Sequence, residues 1–554
     1  MCYGTGSTAD FLQVGRRRCV AWYVVLITLL LFPGGAAAKQ QAVPQLFVTS
    51  DRCLACHNDL VTPEGQDVSI GFNWQSSMMA HSAKDPYWQA SVRRESLEHP
   101  SVSQAIEDEC AACHMPMARY QAKAQGGNGR VFAHMPLLPA QTTAQRLAGD
   151  GVSCSMCHQI GPDKLGTEVS FTAGFVVDTK KNLGQRTAFG PFEVDAGRSQ
   201  VMQSAARLRP TQGMHIQDSA LCGSCHTLYT HARGPDGEVV GELPEQVPYL
   251  EWKHSAYQGR QSCQSCHMPQ LQEPMQITSV LGQPREGFSR HVFRGGNFLM
   301  PQVFNRNKAA LGVTTLSQDL AKASWETKQH LKKSAARVAI QDIRTMQDRL
   351  ELSVSIMNLA GHKLPTAYPS RRAWIHLQVR DSDGNVVFDS GALNADGSIQ
   401  GNDNDLDRNE HEPHYEDIQE PGQVQIYEPI MVDSQDRVTT GLLSAVRYKK
   451  DNRLLPHGFD KKTAGEDIAV QGKAQHDSDF KGGRDTVRYS VALGQAQGPF
   501  SVKAELWYQP IGFRWAKNLK QQQAAEIDRF VSYFDAMSEQ SGIVMASDSK
   551  TNIY

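Results

Sequence analysis

The sequence predicts an α+β protein in several parts: a mostly helical and irregular N-terminal region, a C-terminal antiparallel β-sandwich-like region, and a terminal α-helix. Three observations predict it. Residues 39–310 show little long-range hydrophobic periodicity and carry many glycines, prolines and short polar stretches such as Gln125-Gly-Gly-Asn-Gly129. From Leu350 onward the pattern changes to the alternation of half-buried strands. Near the C terminus Ile527, Phe530, Val531, Phe534 and Met537 recur at helical spacing on one face.

The first element, residues 1–38, reads as a secretory signal peptide. Arg16, Arg17 and Arg18 precede an apolar run from Cys19 to Phe32, then Pro33, two glycines and Ala36-Ala37-Ala38, with cleavage expected before Lys39. The run has 14 residues, whereas a spanning helix needs roughly 20. The mature chain is therefore expected to be exported, periplasmic or extracellular, with no membrane span. Of 554 residues 40% are hydrophobic and 21% charged, which fits neither a disordered nor a membrane-embedded chain. A formal net charge of −2 excludes a nucleic-acid binder with a broad basic face.

Residues 39–310 owe their character to cysteine. Of 12 cysteines, Cys2 and Cys19 lie in the leader. The other ten form five Cys-x-x-Cys-His runs: Cys53, Cys56 and His57; Cys110, Cys113 and His114; Cys154, Cys157 and His158; Cys222, Cys225 and His226; Cys263, Cys266 and His267. This is the attachment sequence of c-type haem. Two thiols one helical turn apart can each add to a vinyl group on one haem edge, and the next histidine lies under the iron as proximal ligand. Zinc ribbons pair their knuckles and need no histidine after each one, and thioredoxin-like centres use one Cys-x-x-Cys per domain. Five runs that absorb every mature cysteine point to five haem c groups, with the porphyrins themselves as the core of this region.

The second axial position of each iron is less constrained. With 19 histidines and five proximal, supply does not limit the choice. Context favours His215, ahead of Cys222, and His291, in Arg-His-Val-Phe-Arg-Gly-Gly-Asn. His134 beside Met135-Pro136, His254 ahead of Cys263, and His81 are further candidates. His81 competes with Met78 and Met79, since methionine is also a haem ligand. His362 stands apart, in Ala360-Gly-His-Lys-Leu-Pro-Thr366, a tight loop tip far from any attachment run. We expect the β region to lend it to a haem and so lock the two regions together; a turn histidine without an iron contact is the competing reading.

Residues 311–335 are expected to form a linking helix, and residues 336–510 the β-sandwich-like region. Leu350, Leu352, Val354 and Ile356 alternate with polar neighbours; Trp374–Arg380 reads similarly and is followed by an Asp383-Gly384 turn and Val386–Phe388. Val424–Met431, Val487–Leu493 and Phe500–Tyr508 are the later strand candidates. Residues 511–554 supply the terminal helix, read as a structural brace, and a tail. Asp403, Asp405 and Asp407 are a candidate calcium loop, although the run lacks the central glycine and closing glutamate of an EF-hand; a solvated acidic turn competes. His411, Glu412, His414 and Tyr415 follow closely and could serve a metal or a haem edge.

The haem region resembles the multihaem cytochrome c family related to the tetrahaem cytochromes of nitrifying bacteria. The resemblance rests on Trp74-Gln-Ser-Ser-Met-Met-Ala80, Asp150-Gly-Val-Ser-Cys-Ser-Met-Cys-His158, Pro244-Glu-Gln-Val-Pro-Tyr-Leu-Glu-Trp252 and Cys263-Gln-Ser-Cys-His-Met-Pro269. Gly361-His-Lys-Leu-Pro-Thr-Ala-Tyr-Pro369 is similar to a stretch in the C-terminal domain of related exported multihaem proteins. The resemblance implies closely packed haems, usually with two histidine ligands, and periplasmic or extracellular electron transfer. Five runs and a long β region depart from the tetrahaem pattern, so that family's haem-by-haem ligand assignment and partner are not carried over.

Two functions follow. In the first the chain carries electrons between a donor and an acceptor protein, with a membrane-associated electron-transfer complex as a candidate setting. In the second one haem keeps an open axial site and reduces a small nitrogen or sulfur substrate. Such enzymes often replace the active haem's proximal histidine with lysine, and all five runs here end in histidine, which favours the first. No Ser-His-Asp set, phosphate loop or metal-hydrolase motif is evident elsewhere.

Overall fold

Short helices and loops build the N-terminal half because its sequence offers few long periodic runs. A computed structural model describes residues 43–554; the proposed leader, residues 1–38, lies outside them. The longer helices here are Pro86–Glu98 and Ser103–His114, the first capped by the Asp85 carboxylate, which accepts from the N–H groups of Tyr87 and Trp88. Among the irregular segments lie a parallel strand pair, Arg186–Gly190 with Leu208–Gln212, and a hairpin of Leu228–Arg233 with Val239–Gln246.

The linking helix spans Ser317–Ser334 and buries Leu320, Ser324, Thr327 and Leu331, one stripe of its surface. Beyond it two sheets share one hydrophobic core. The first orders Asp417–Ile418, Arg484–Ala492, Arg349–Asn358 and Ala336–Thr345; the second orders Val386–Ser390, Arg372–Arg380, Phe500–Gln509 and Ile543–Ile553. Leu352, Val354 and Ile356 from one sheet and Ile375, Leu377 and Leu506 from the other are buried together. Each such side chain contributes about 1.5–3 kcal/mol on burial. The pairing is antiparallel except at Asp417–Ile418, which joins Arg484–Ala492 in parallel.

Three expectations are refined. Residues 424–431 do not form one strand. Ile426–Tyr427 pairs with Arg372–Arg380, whereas Pro429–Val432 pairs into a separate three-stranded sheet. The tail beyond the terminal helix is an edge strand, Ile543–Ile553, with Met545 its buried residue. The Ala525–Asp535 helix buries Ile527, Phe530 and Phe534 and packs across to the N-terminal half. There Phe530 meets Tyr87 with ring centres 4.9 Å apart, and Glu526 pairs with Arg93 at 2.9 Å.

The two halves are continuous in packing. Residues 43–554 form one compact unit, and the sandwich core runs on into Phe298, Met300, Val303 and Phe304. Among the described residues no helix is long and apolar enough to cross a membrane.

Candidate functional site

Each Cys-x-x-Cys-His run folds as a helical turn, which puts its two thiols and its imidazole on one side. The His57 N–H donates to the Cys53 carbonyl at 3.0 Å, His158 to Cys154 at 3.0 Å, and His226 to Cys222 at 2.9 Å. The second run closes the Ser103–His114 helix and the fifth forms Cys263–His267. None of these ten cysteines is in a disulfide.

In four of the five runs the histidine's Nδ1 meets a backbone carbonyl. His57 meets Ile277 at 2.6 Å, His114 meets Ser82 at 3.0 Å, His158 meets Phe189 at 2.5 Å, and His267 meets Arg294. A carbonyl accepts only, so the proton sits on Nδ1 and Nε2 keeps a free lone pair, as a metal-binding imidazole requires. Burial lowers the pKa of all five rings, to about 4 for His114 and His226, so they are neutral near pH 7. Trp88 stacks on His114 at 4.4 Å between ring centres, a contact no sequence signal announced.

Four runs open with all three of their residues onto one cavity of 690 Å³, which also carries His291, Met78 and Met79. The fifth reaches it through Gln264 and Met268, and its Cys266 is exposed. Neighbouring runs are tied to one another. Ser50, ahead of the first run, donates its N–H to the Asp150 carboxylate, ahead of the third, at 2.8 Å. The His215 Nε2, ahead of the fourth, meets the Ile160 carbonyl, just past the third, at 2.9 Å. The Cys263 N–H that opens the fifth donates to the Ser219 hydroxyl, ahead of the fourth, at 3.0 Å. Cys110, Cys113 and Cys225 pack against one hydrophobic cluster, which sets the second run beside the fourth.

Two imidazole pairs stand out. His158 and His291 have ring centres 6.4 Å apart and planes at 20°; His267 and His362 have ring centres 6.3 Å apart and planes at 15°. Two imidazoles sharing one metal atom from opposite sides have ring centres about 6.3 Å apart. Each metal–nitrogen bond is about 2.0–2.1 Å, and each ring centre lies roughly 1.1 Å behind its nitrogen. His291 directs Nδ1 to the Ser289 carbonyl at 3.0 Å and His362 to the Lys363 carbonyl at 2.8 Å, repeating the arrangement of the attachment histidines. Cysteines in no disulfide, neutral imidazoles at bracketing distance and a largely apolar cavity make a donor set that fits covalently attached haem.

The other sequence candidates sit differently. His215 engages the Ile160 carbonyl through Nε2 at 2.9 Å and packs edge-on to Phe189. His254 engages Asp460 through Nε2 at 2.9 Å beside Phe459. His81 is buried against Phe304 with Nε2 3.3 Å from the Thr315 hydroxyl and Nδ1 without a partner. His134 is half-buried in a short 3-10 turn, Phe132–His134.

The acidic run does not assemble as a calcium loop. Asp403–Leu406 is a helical turn capped by Asn402, and both Asp405 oxygens face the Arg372 guanidinium, at 2.8 and 2.9 Å. Among the described residues, convergent sets of potential metal ligands occur instead at Glu95, Glu98 and His99 and at His414, Asp477 and Asp485. In the second set the His414 Nδ1 accepts from Gln425 Nε2 at 2.8 Å and from Asn452 Nδ2 at 3.1 Å. Both amides are oriented by backbone N–H groups on their oxygens, those of Tyr415 and Glu428. The proton is thereby left on Nε2, which donates to Asp477 at 3.0 Å. This is a closed hydrogen-bond network, with no lone pair to offer a metal.

Comparison with solved structures finds a likeness of fold to a penta-heme cytochrome c552 from Thermochromatium tepidum, with a TM-score of 0.52 and 16% sequence identity. The likeness covers 92% of this chain and 100% of that one. No protein-family model matches the chain, and no curated protein does.

Proposed function

We propose that this chain is an exported pentahaem c-type cytochrome that carries electrons between redox partner proteins. The observation that carries the reading is the pairing of His158 with His291 and of His267 with His362 at the spacing of imidazoles that share an iron. The ten thiols hold the groups covalently, and His57, His114, His158, His226 and His267 are their proximal ligands. His291 and His362 are the distal ligands of the third and fifth groups. Bound haem supplies one-electron storage at each iron. The chain's part is to set ligands and burial and to keep the groups in an unbroken series, which the hydrogen bonds and packing between neighbouring runs support. A likeness of fold to a penta-heme cytochrome agrees with this.

The test is the mature protein produced with a haem-attachment system. Mass and haem-to-protein ratio are expected to give five attached groups, redox titration five reversible one-electron steps, and N-terminal sequencing a start at Lys39. Colourless protein or fewer than five groups overturns the reading.

A second reading, reduction of a small nitrogen or sulfur substrate at one iron, is favoured by one observation. Tyr87, Tyr368 and Arg371 line the cavity that His226 also lines, and Arg371 is near enough to His226 to oppose its protonation. A high-spin ferric signal from the untreated protein, together with turnover of nitrite, hydroxylamine or sulfite, would favour it over electron transfer.

A further inference from the structure

Four charged side chains, each at most 5% exposed, surround the loop that carries His362. Lys363 pairs with Asp451 at 2.6 Å, and Arg453 grips the same carboxylate through Nε at 2.8 Å and a terminal nitrogen at 2.7 Å. These three belong to the β-rich half. The fourth, Glu251, comes from the Pro248–Lys253 helix, between the fourth and fifth attachment runs. Its Oε2 accepts from the Lys363 N–H at 3.1 Å and from the Thr366 hydroxyl. Its Oε1 lies 3.0 Å from Arg453 but off the N–H direction, an ion pair without an aligned hydrogen bond.

Within its own half the loop is already held. Asn358 Nδ2 donates to the His362 and Leu454 carbonyls at 2.9 Å, and Leu364 exchanges two backbone bonds with Leu454. What that framework lacks is a reference to the Pro248–Lys253 helix, which packs against the fourth run through Tyr249 and Ala220 and is tied to the approach to the fifth by Trp252 Nε1 on the Gln261 carbonyl at 2.9 Å. Glu251 supplies it on the C-terminal side of His362, at Lys363 and Thr366, and Tyr257 adds a hydroxyl to the Leu359 carbonyl on the N-terminal side at 2.8 Å. The Glu251 carboxylate accepts from the N–H of the residue next to His362 and so lies near that ring. A ferric iron carries one more positive charge than a ferrous one, so a fixed carboxylate beside its ligand stabilises the oxidised form.

We propose that Glu251 is a positioning residue that seats His362 against the iron held by Cys263, Cys266 and His267, and that its charge lowers the reduction potential of that one group. The inference rests on the reading of His362 as an axial ligand. Three variants of the full holoprotein separate the possibilities. Glu251→Gln keeps an oxygen for Lys363 and Thr366 and removes the charge. Thr366→Val removes one hydrogen bond at nearly constant volume, so it remains informative if Glu251→Gln fails to fold. His362→Ala removes the ligand itself.

The expected results are specific. Glu251→Gln leaves all five ferric groups low-spin and moves one of five midpoint potentials upward. Thr366→Val gives a high-spin fraction of up to one group in five, relieved by added imidazole. His362→Ala gives one full group in five. If His362→Ala is high-spin by one group while Glu251→Gln leaves every potential in place, or Thr366→Val stays wholly low-spin, the role of Glu251 is refuted and the axial reading stands. If His362→Ala stays low-spin, the axial reading falls, and the inference falls with it.

Discussion

Removing His291 is the most direct perturbation of the proposed site. Its ring is half-buried, faces His158 across 6.4 Å and is held by a single hydrogen bond, to Ser289. His291→Ala deletes one of two imidazoles around one iron and leaves the thiols Cys154 and Cys157 to hold the group. One attachment run of five is affected, so one-fifth of the ferric iron is expected to become high-spin. His362 serves a different run, facing His267 at 6.3 Å. Distinct sites with no shared partner add, so the double variant His291→Ala/His362→Ala is expected to reach two-fifths. Low-temperature electron paramagnetic resonance, integrated against haem content, reads both fractions. His254→Ala is the control, because its Nε2 is engaged by the Asp460 carbonyl away from any second imidazole, and it should leave the signal unchanged. A fully loaded His291→Ala protein without high-spin iron would refute the reasoning, and so would a double variant no different from either single one.

Three further outcomes follow from the packing. Asp405→Ala strands the buried Arg372 guanidinium, and breaking such a pair costs about 3–5 kcal/mol. Denaturant unfolding should show that loss, while added calcium or a chelator leaves the wild-type midpoint unmoved. Ile356→Ala empties part of the shared sandwich core and should cost about 2–5 kcal/mol, read in the same titration. The third concerns pH. The His376 ring, 3.3 Å from its carboxylate, holds the Glu505 carboxyl down at about 2. Burial opposes charge on His376, yet Glu505 and Asp389 outweigh it and raise its pKa. The Glu505 contribution is thus present above about pH 4.3 and lost as pH falls toward 2. The His376 contribution is present below about pH 6.5 and lost as pH rises through its higher folded value. Glu505→Gln should flatten both limbs of the stability–pH profile, and a profile merely offset from wild type would count against the ion pair.

The chemistry of the site was legible because it is written in contiguous residues. Cys-x-x-Cys-His needs only one helical turn to bring its groups together, so five runs could be read without knowing the fold. His291 and His362 were recognisable as candidates from glycine- and proline-rich settings. Their assignment to His158 and His267 was not, since those contacts close across long stretches of chain and depend on tertiary packing. Glu251 stands inside the Pro244–Trp252 stretch that carries the resemblance, but nothing in the sequence marked its role, because its partners lie more than a hundred residues away. The strand Ile543–Ile553 was missed because an edge strand with Met545 as its buried residue needs no alternation of apolar side chains. The run 424–431 read as one strand because burial on both faces looks continuous, while Pro429, without an N–H, begins a second sheet. The acidic run was read by composition, and composition cannot reveal that Arg372 claims Asp405.

The two halves meet through contacts of different chemistry, and the difference bears on what each contact does. Apolar packing of Phe298 and Phe304 into the sandwich core, and of Phe530 on Tyr87, removes surface from water and stabilises the chain directly. The Glu251, Lys363, Asp451 and Arg453 cluster gains little by that measure. Desolvating four charges offsets most of their mutual attraction, and well-packed apolar residues of similar volume would serve stability as well or better. What charges and hydrogen bonds provide and apolar contacts do not is direction. An apolar seam tolerates a sliding of an ångström. A carboxylate that accepts from one N–H and one hydroxyl just after His362, and faces a guanidinium that is itself doubly bonded to Asp451, tolerates far less. On the proposed reading, in which His362 reaches a metal–nitrogen bond length of about 2.0–2.1 Å, that kind of restraint is what the loop needs. The reading thereby accounts for the position of the cluster, at the loop that brings His362 from the β-rich half to His267, where the stability of the fold does not.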